Sequence, residues 1–302
     1  MHSAKIIADS MSPDGVRLTT MEICIPRIVL AELNTHRMFS RNSASSRAIP
    51  SKKMLQMVQD NPYIPFHWGK NQKGMQAERE LTGEERQWAA LFWKQARNEA
   101  MRSAEALRDI GVHKQITNRL LEPFMWHTVI VTATEWNNFF WLRNNKMAHP
   151  DLHRTAKLMQ EAYEDNEPKQ LGIGEWHLPY VHEDEDGVVG FRETTDTDVL
   201  IKLSVARCAR VSYLTHDGKR DLEADIALHD RLLDAGHMSP FEHVARPMHA
   251  VDVFPVGCHG GAEDLRLRRV PALWSGNFRG WVQYRKTIAG EDNILAARGK
   301  DA

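Results

Sequence analysis

An α+β fold is predicted by two features of the chain: strand-like runs confined to a few separated stretches, and helical hydrophobic spacing in the long intervals between them. Residues 16–25 alternate (Val16, Leu18, then Met21, Ile23, Ile25) and read as a strand, after which Pro26 suits the first position of a helix. Past a polar, Pro-containing loop at residues 61–74, Thr82-Gly83-Glu84-Glu85 has the spacing of a capping box. It opens a long helix with the stripe Trp88, Leu91, Phe92, Ala96, Ala100, Ala104 and Leu107, closed by Gly111. A short helix carrying Ile116 and Leu120 stops at Pro123, and the β-branched run 128–132 reads as a strand or a buried connector. Residues 135–143 look helical. Asp151 can cap the next helix, which places Leu152, Ala156, Met159 and Tyr163 on one face, and residues 183–187 form a solvated acidic turn. A second part begins near Leu200, with a strand-like run at 203–213, a helix from about Asp221 to Gly236 and a strand candidate at 249–254.

The 302 residues fit one large domain or two ordinary ones and are read as a single domain over 1–302, with motifs grouped in 1–170 and 200–302. Lys and Arg number 39 against 40 Asp and Glu, a net charge of -1 that excludes a strong field for nucleic acid or an anionic membrane. The 42% apolar and 26% charged composition excludes disorder and collagen. Cys24, Cys208 and Cys258 are too dispersed for a disulfide framework or a zinc knuckle and fit a reducing compartment. With no export signal in the first thirty residues and apolar runs such as 129–131 far short of the roughly 18 residues of a membrane span, a cytoplasmic protein is expected.

Three clusters stand out. The stretch Thr35-His36-Arg37-Met38-Phe39-Ser40-Arg41-Asn42-Ser43-Ala44-Ser45-Ser46-Arg47 packs guanidinium forks and hydroxyls at a helix exit, which suits a phosphate or else an ordinary polar loop. Asn138 and Arg143 sit five residues apart on an aromatic helix, which is either core with a surface charge or a binding face if the helix end is irregular. His237-Met238-Ser239-Pro240-Phe241-Glu242-His243 matches no common zinc spacing, so no metal site is predicted. The absence of GxxxxGK[ST], GxGxxG and G-x-S-x-G patterns removes most support for nucleotide kinases, Rossmann dehydrogenases and esterases.

Together these clusters resemble the flavin-dependent thymidylate synthases. Their R-H-R-x7-S motif is similar to Thr35-His36-Arg37 followed after seven residues by Ser45. Asn138 and Arg143 look like the family's flavin-side Asn and pyrimidine-side Arg, and Arg119 resembles a further nucleotide-binding Arg. The A-R-V-S and H-x-[ST]-P-x-E-H segments are matched at Ala209-Arg210-Val211-Ser212 and at His237 to His243. In the family these two segments precede R-H-R, so the resemblance implies a circular permutation. Arg279-Gly280-Trp281-Val282-Gln283-Tyr284-Arg285 looks like a trimmed second copy of the family's R-x-W-x-R-H-R helix; the alternative is a C-terminal helix anchored by Trp281. Departures are Thr35 for the first Arg, Glu32 for Gln, Ser43 for Glu, Ser46 for Gly, Met147 for His, and residues 134–136 for N-x-R.

The resemblance implies helices packed on a mainly antiparallel sheet and a homotetramer with sites shared between subunits. It implies conversion of dUMP to dTMP with methylenetetrahydrofolate as carbon donor, NADPH as reductant and bound FAD, and no nucleic-acid or membrane partner. Thr35, His36, Arg37, Ser43, Asn138 and Ser239 are then expected at the flavin, and Glu32, Ser45, Ser46, Arg47, Arg119 and Arg143 at the nucleotide. Arg143 is the expected catalytic group: carbon 5 of uracil becomes nucleophilic only when charge on the ring is stabilised, and Arg stays charged in a dry site. No general base neighbours Ser45 or Ser46, so both are read as binders. The competing readings are a flavin-dependent methylase or hydroxymethylase of another pyrimidine nucleotide such as dCMP, and a non-catalytic nucleotide or single-stranded nucleic-acid binder.

Overall fold

The computed structural model describes residues 1–184, 187–189, 196–211, 221–249, 252 and 273–292. The chain opens with strands β1 (Ser3–Met11) and β2 (Arg17–Pro26), followed by helix α1 (Leu30–Asn34), strand β3 (Ser40–Ser43) and helices α2 (Ser51–Asp60), α3 (Gly83–Asp109) and α4 (Lys114–Thr117). Strand β4 (Trp126–Ala133) precedes helices α5 (Asn137–Arg143) and α6 (Pro150–Asp165) and strand β5 (Lys169–Gln170). The C-terminal part holds β6 (His182–Asp184), β7 (Gly187–Val189), α7 (Thr197–Arg210), α8 (Leu222–Asp234), a 3-10 turn at Ser239–His243, and strands β8 (Ala245–Pro247), β9 (Trp274–Ser275), β10 (Phe278–Arg279) and β11 (Trp281–Gln283).

The α+β expectation holds. Five strands form one sheet in the order β3-β4-β2-β1-β5, antiparallel throughout except where β5 joins β1 in parallel. The strand predicted at 16–25 is β2, and the 128–132 run, read as a strand or a buried connector, is β4; they pair with Ile23 opposite Val129 and Thr20 opposite Thr132. β1 escaped the sequence reading because its small and charged residues (Ser3-Ala4-Lys5, Ala8-Asp9-Ser10) blur the alternation.

Each sheet face has its own chemistry, since successive side chains point to opposite sides. Met21, Ile23, Ile25, Val129, Val131 and Ala133 pack with Trp136, Phe139 and Phe140 of the α5 region and with Leu152, Ala156 and Met159 of α6. The opposite face carries Ser10, Thr20 and Thr132 in a buried hydrogen-bond chain that crosses three strands. Ser10 Oγ meets His177 Nδ1 at 2.8 Å, His177 Nε2 meets Thr20 Oγ1 at 2.8 Å, Thr20 meets Thr132 at 2.7 Å, and Thr132 meets His243 Nδ1 at 2.7 Å. Beside it, Tyr180 Oη donates to Glu22, while Ile130 packs with Cys208 and Val211. The C-terminal part therefore docks on the sheet through a polar seam, flanked by apolar packing of Val16 and Leu18 against Phe278 and Trp281.

Several sequence expectations need correction. Pro26 ends β2, and the turn that follows (Arg27–Val29) is 3-10. Thr82 begins α3 without a side-chain cap bond, and the expected stripe is largely uncovered: Trp88 is 54% and Phe92 60% exposed, and Ala104 alone of α3 is buried. Pro123 lies inside a 3-10 segment, Asn118–Phe124, which it does not terminate, because a 3-10 turn tolerates the missing donor better than an α-helix. His149, not Asp151, caps α6, its Nδ1 accepting from Asp151 N; the Asp151 carboxylate is buried and accepts from Tyr63 Oη at 2.6 Å. The strand-like run at 203–213 is α7 as far as Arg210. Leu203 through Ala209 are all buried, so no polar face marks the helical period. The 279–285 segment forms β10, β11 and a 3-10 turn (Tyr284–Thr287), not the expected helix, with Gly280 at φ +71 against Val16 and Trp281 Nε1 donating to Val16 O. Ser212, Tyr213 and Cys258 lie outside the described residues, and of the strand candidate at 249–254 only His249 and Asp252 are described, neither in a strand.

Candidate functional site

The turn after α1 is held by Arg41, whose guanidinium donates to Leu33 O (3.1 Å) and His36 O (3.4 Å) and so satisfies carbonyls at the helix end. Phe39 anchors the same turn in the aromatic cluster, its ring centroid 4.8 Å from Trp136 and 5.0 Å from Phe139. His36 is buried edge-on to Phe139 at 4.9 Å. Arg143, the last residue of α5, donates through Nε to His36 Nε2 at 2.8 Å and through Nη2 to Thr35 Oγ1 at 3.1 Å. Thr35 in turn donates its hydroxyl to Glu32 O at 2.6 Å, which leaves a lone pair for Arg143. Burial first, then the Arg143 and Arg41 charges, push the His36 pKa down to about 4. At neutral pH His36 is therefore uncharged, with Nε2 as acceptor and the proton on Nδ1. Arg143 is thus a fixed cation with its Nη1 uncommitted among the described residues.

Four of the expected site residues stand apart from this contact. Arg37 and Asn138 are exposed, Ser43 lies half-buried in β3, and Glu32 is half-buried with its Oε2 unpartnered. Five residues on a helix turn about 140°, so Asn138 faces solvent while Arg143 faces Thr35 and His36.

A second locus is a cleft of about 350 Å³ lined by Asn42, Ser45, Arg47, His237 and Ser239 with Ala48, Ala209, Leu232 and Pro240 as its apolar walls. It brings the 35–47 motif and the 237–243 motif together. Asn42 joins the two parts, donating to Cys208 O at 2.7 Å and accepting from Ser239 Oγ at 3.5 Å. Asn42 and His237 are cleft residues that the sequence reading did not assign, although both lie inside the motifs it singled out. Arg47 has no acidic partner among the described residues, so the cleft offers an uncompensated guanidinium beside two hydroxyls.

Ser46 and Arg119, both expected at the nucleotide, do not line this cleft. Ser46 is buried and donates to Glu122 Oε1 at 2.6 Å, Arg119 donates to the same oxygen at 3.1 Å, and Arg27 lies 3.6 Å from it. Among the described residues no group of three or more His, Cys, Asp or Glu is placed to hold a metal ion, and no helix is long and apolar enough to cross a membrane.

Arg143 does not line this cleft, so the structure presents two cationic loci: a fixed guanidinium that suits a polar ring and a cation-hydroxyl cleft that suits a phosphate. Residues 16–169 match the family model described as thymidylate synthase complementing protein, and the chain belongs to that family. The match takes in the 35–47 motif, Arg119, Asn138 and Arg143; the 209–212 and 237–243 segments lie beyond it. Among solved structures the chain is similar to PolB from Streptomyces cacaoi, a UMP/dUMP methylase, bound with 5-Br UMP, with 14% identity and a TM-score of 0.46 over 54% of this chain and 88% of that one. A second PolB structure, bound with 5-Br dUMP, gives 18% identity and a TM-score of 0.38 over 49% of this chain and 65% of that one. No curated protein matches the sequence.

Proposed function

We propose that this protein methylates carbon 5 of dUMP to give dTMP, with methylenetetrahydrofolate as carbon donor, NADPH as reductant and FAD as bound redox cofactor. The observation that carries the reading is the anchoring of Arg143. Two acceptors, Thr35 Oγ1 and the neutral His36, hold one edge of the guanidinium and leave Nη1 free for the O2 and N3 side of a uracil ring. A preorganised cation there favours the ring anion that makes carbon 5 nucleophilic, and costs no reorganisation when charge develops. Thr35 and His36 thus serve Arg143 as positioning residues, alongside the flavin contact the resemblance implies for them.

Ser45 and Arg47 are the groups for the 5′-phosphate. Arg37 and Asn138 present exposed polar heads, Ser43 lies in β3 and Ser239 lines the cleft; these are the groups the resemblance implies for the flavin. The flavin supplies hydride chemistry when bound, while the protein supplies binding and orientation. That Ser45 and Arg47 share one cleft with His237 and Ser239 supports the permuted order of segments. A homotetramer with shared sites is supported by the aromatic face on α3, where exposed Trp88 and Phe92 stack 6.0 Å apart.

The test is a flavin spectrum followed by dUMP-dependent oxidation of NADPH in the presence of methylenetetrahydrofolate. Yellow protein that turns over dUMP and not dCMP is expected. Colourless protein that refuses added FAD would overturn the reading, and preferential turnover of dCMP would redirect it.

A further inference from the structure

We propose that Asn118 and Glu122 are positioning residues for the phosphate subsite, gripping Ser46 from behind so that its neighbours Ser45 and Arg47 face the cleft. This rests on the phosphate reading of the cleft given above. Both residues belong to the 3-10 segment Asn118–Phe124, and both reach the same residue: Asn118 Nδ2 donates to Ser46 O at 2.7 Å, while Glu122 Oε1 accepts from Ser46 Oγ at 2.6 Å. Asn118 also donates to Ile49 O at 2.9 Å, and Ala48 N donates to Ser45 O at 2.9 Å, so the 45–49 turn is tied at both ends. Ser46 is 5% exposed, and the two residues flanking it line the cleft while it does not. An arginine without an acidic partner is placed by its backbone alone, which gives the clamp its leverage over Arg47.

Glu122 is itself held between two guanidiniums, Arg119 and Arg27. These two neighbours fix the carboxylate where its Oε1 accepts from Ser46. Arg119 therefore acts on the phosphate through Glu122 and Ser46, without touching it. A direct phosphate contact by Ser46 would require its hydroxyl to leave a short bond to a carboxylate that also neutralises two cations.

The experiment compares dUMP with deoxyuridine, which lacks only the phosphate, by equilibrium binding to the flavin-loaded protein. Wild type binding dUMP far more tightly than deoxyuridine is the expected starting point; equal binding would overturn the phosphate reading itself, before the clamp is tested. Given that preference, Glu122→Ala and Asn118→Ala should each weaken dUMP about tenfold, the worth of one misplaced charge-assisted contact. Deoxyuridine affinity and kcat at saturating dUMP should stay within about twofold. Glu122→Gln, whose amide oxygen still accepts from Ser46, should restore most of the loss. Ser46→Ala should weaken dUMP to the same degree as Glu122→Ala, and the double variant should add nothing further. Retention of the full dUMP preference in Glu122→Ala, or equal losses for dUMP and deoxyuridine, would overturn the proposal, as would full additivity of the two substitutions.

Discussion

The two faces of the central sheet solve the same problem by different means. On one face, Met21, Ile23, Val129 and Val131 meet the aromatic residues of the α5 region and the apolar stripe of α6 by close packing. On the other, Thr20 and Thr132 meet His177 and His243 through directed hydrogen bonds with every group at 0–5% exposure. Packing tolerates small shifts, whereas a chain of hydroxyls and imidazoles specifies one register of the C-terminal part against the strands. Each face positions one of the two cationic loci. The apolar face sets α5 and so Arg143; the polar face seats the segment that brings His237 and Ser239 to the cleft.

The largest effect is expected on the apolar face. Phe139→Ala removes a ring that is 1% exposed and touches Phe39, Trp136 and His36. A loss of about 3–5 kcal/mol in unfolding free energy is expected from the cavity left behind, together with reduced turnover because the His36 support of Arg143 goes with it. A stability loss without any change in rate would separate the core from the site.

Arg143→Ala tests the converse. Turnover should fall about 10²–10³-fold, a loss of about 3–4 kcal/mol in transition-state stabilisation, while chemical denaturation midpoints stay close to wild type because the side chain is only half-buried. Arg143→Lys should not rescue, since an ammonium's donors radiate from one atom and cannot reproduce the planar fork that bonds His36 and Thr35 from two nitrogens. A variant with near-normal rate removes Arg143 from the mechanism.

On the polar face, Thr132→Val strands His243 Nδ1, while Thr20 keeps its bond to His177. Each buried group stranded in this way costs about 1–3 kcal/mol, and differential scanning calorimetry would read it as a lower melting temperature. A gain in stability would show that the seam is a specificity device that packing could replace.

The smallest effect near neutrality is the pH dependence. Burial holds His177 and His243 at pKa values of about 3, the facing His243 adding to the effect on His177; their hydrogen-bond partners are the hydroxyls of Ser10, Thr20 and Thr132, and the Tyr180–Glu22 pair lies on the same face. An unfolded His titrates near 6.5, so between pH 6.5 and 3 the unfolded state binds more protons and stability falls as the pH falls. It is nearly level above pH 7 and drops progressively toward pH 3. Urea titrations at pH 7, 6, 5 and 4 should show this slope, and His243→Gln should make it shallower, with His177, His127 and His36 still contributing; an unchanged slope would place the protons elsewhere.

The same contrast explains what could be read in advance. β2, β4, α3, α5 and α8 were visible because each carries a period of two, a β-branched run, or a helical spacing with a recognisable stop such as Gly111 or a start such as Asp221. α7 was not, because a helix buried nearly all round shows no polar face. The 35–47 and 237–243 motifs, far apart in the chain, meet at one cleft. The pairings of Ser46 with Glu122 and of Arg143 with His36 could not be read, since both link residues far apart in the chain whose side chains have other partners within reach.

The order of residues alone determined the strand and helix inventory in outline, the three polar clusters and the family they belong to, because these depend on local spacing and residue chemistry. Tertiary structure alone decided which serines face the cleft, which acceptors hold Arg143, and that an acidic residue near Pro123 ties up two arginines. Those outcomes follow from the burial and mutual distance of groups that meet only once the sheet has closed and both of its faces are covered.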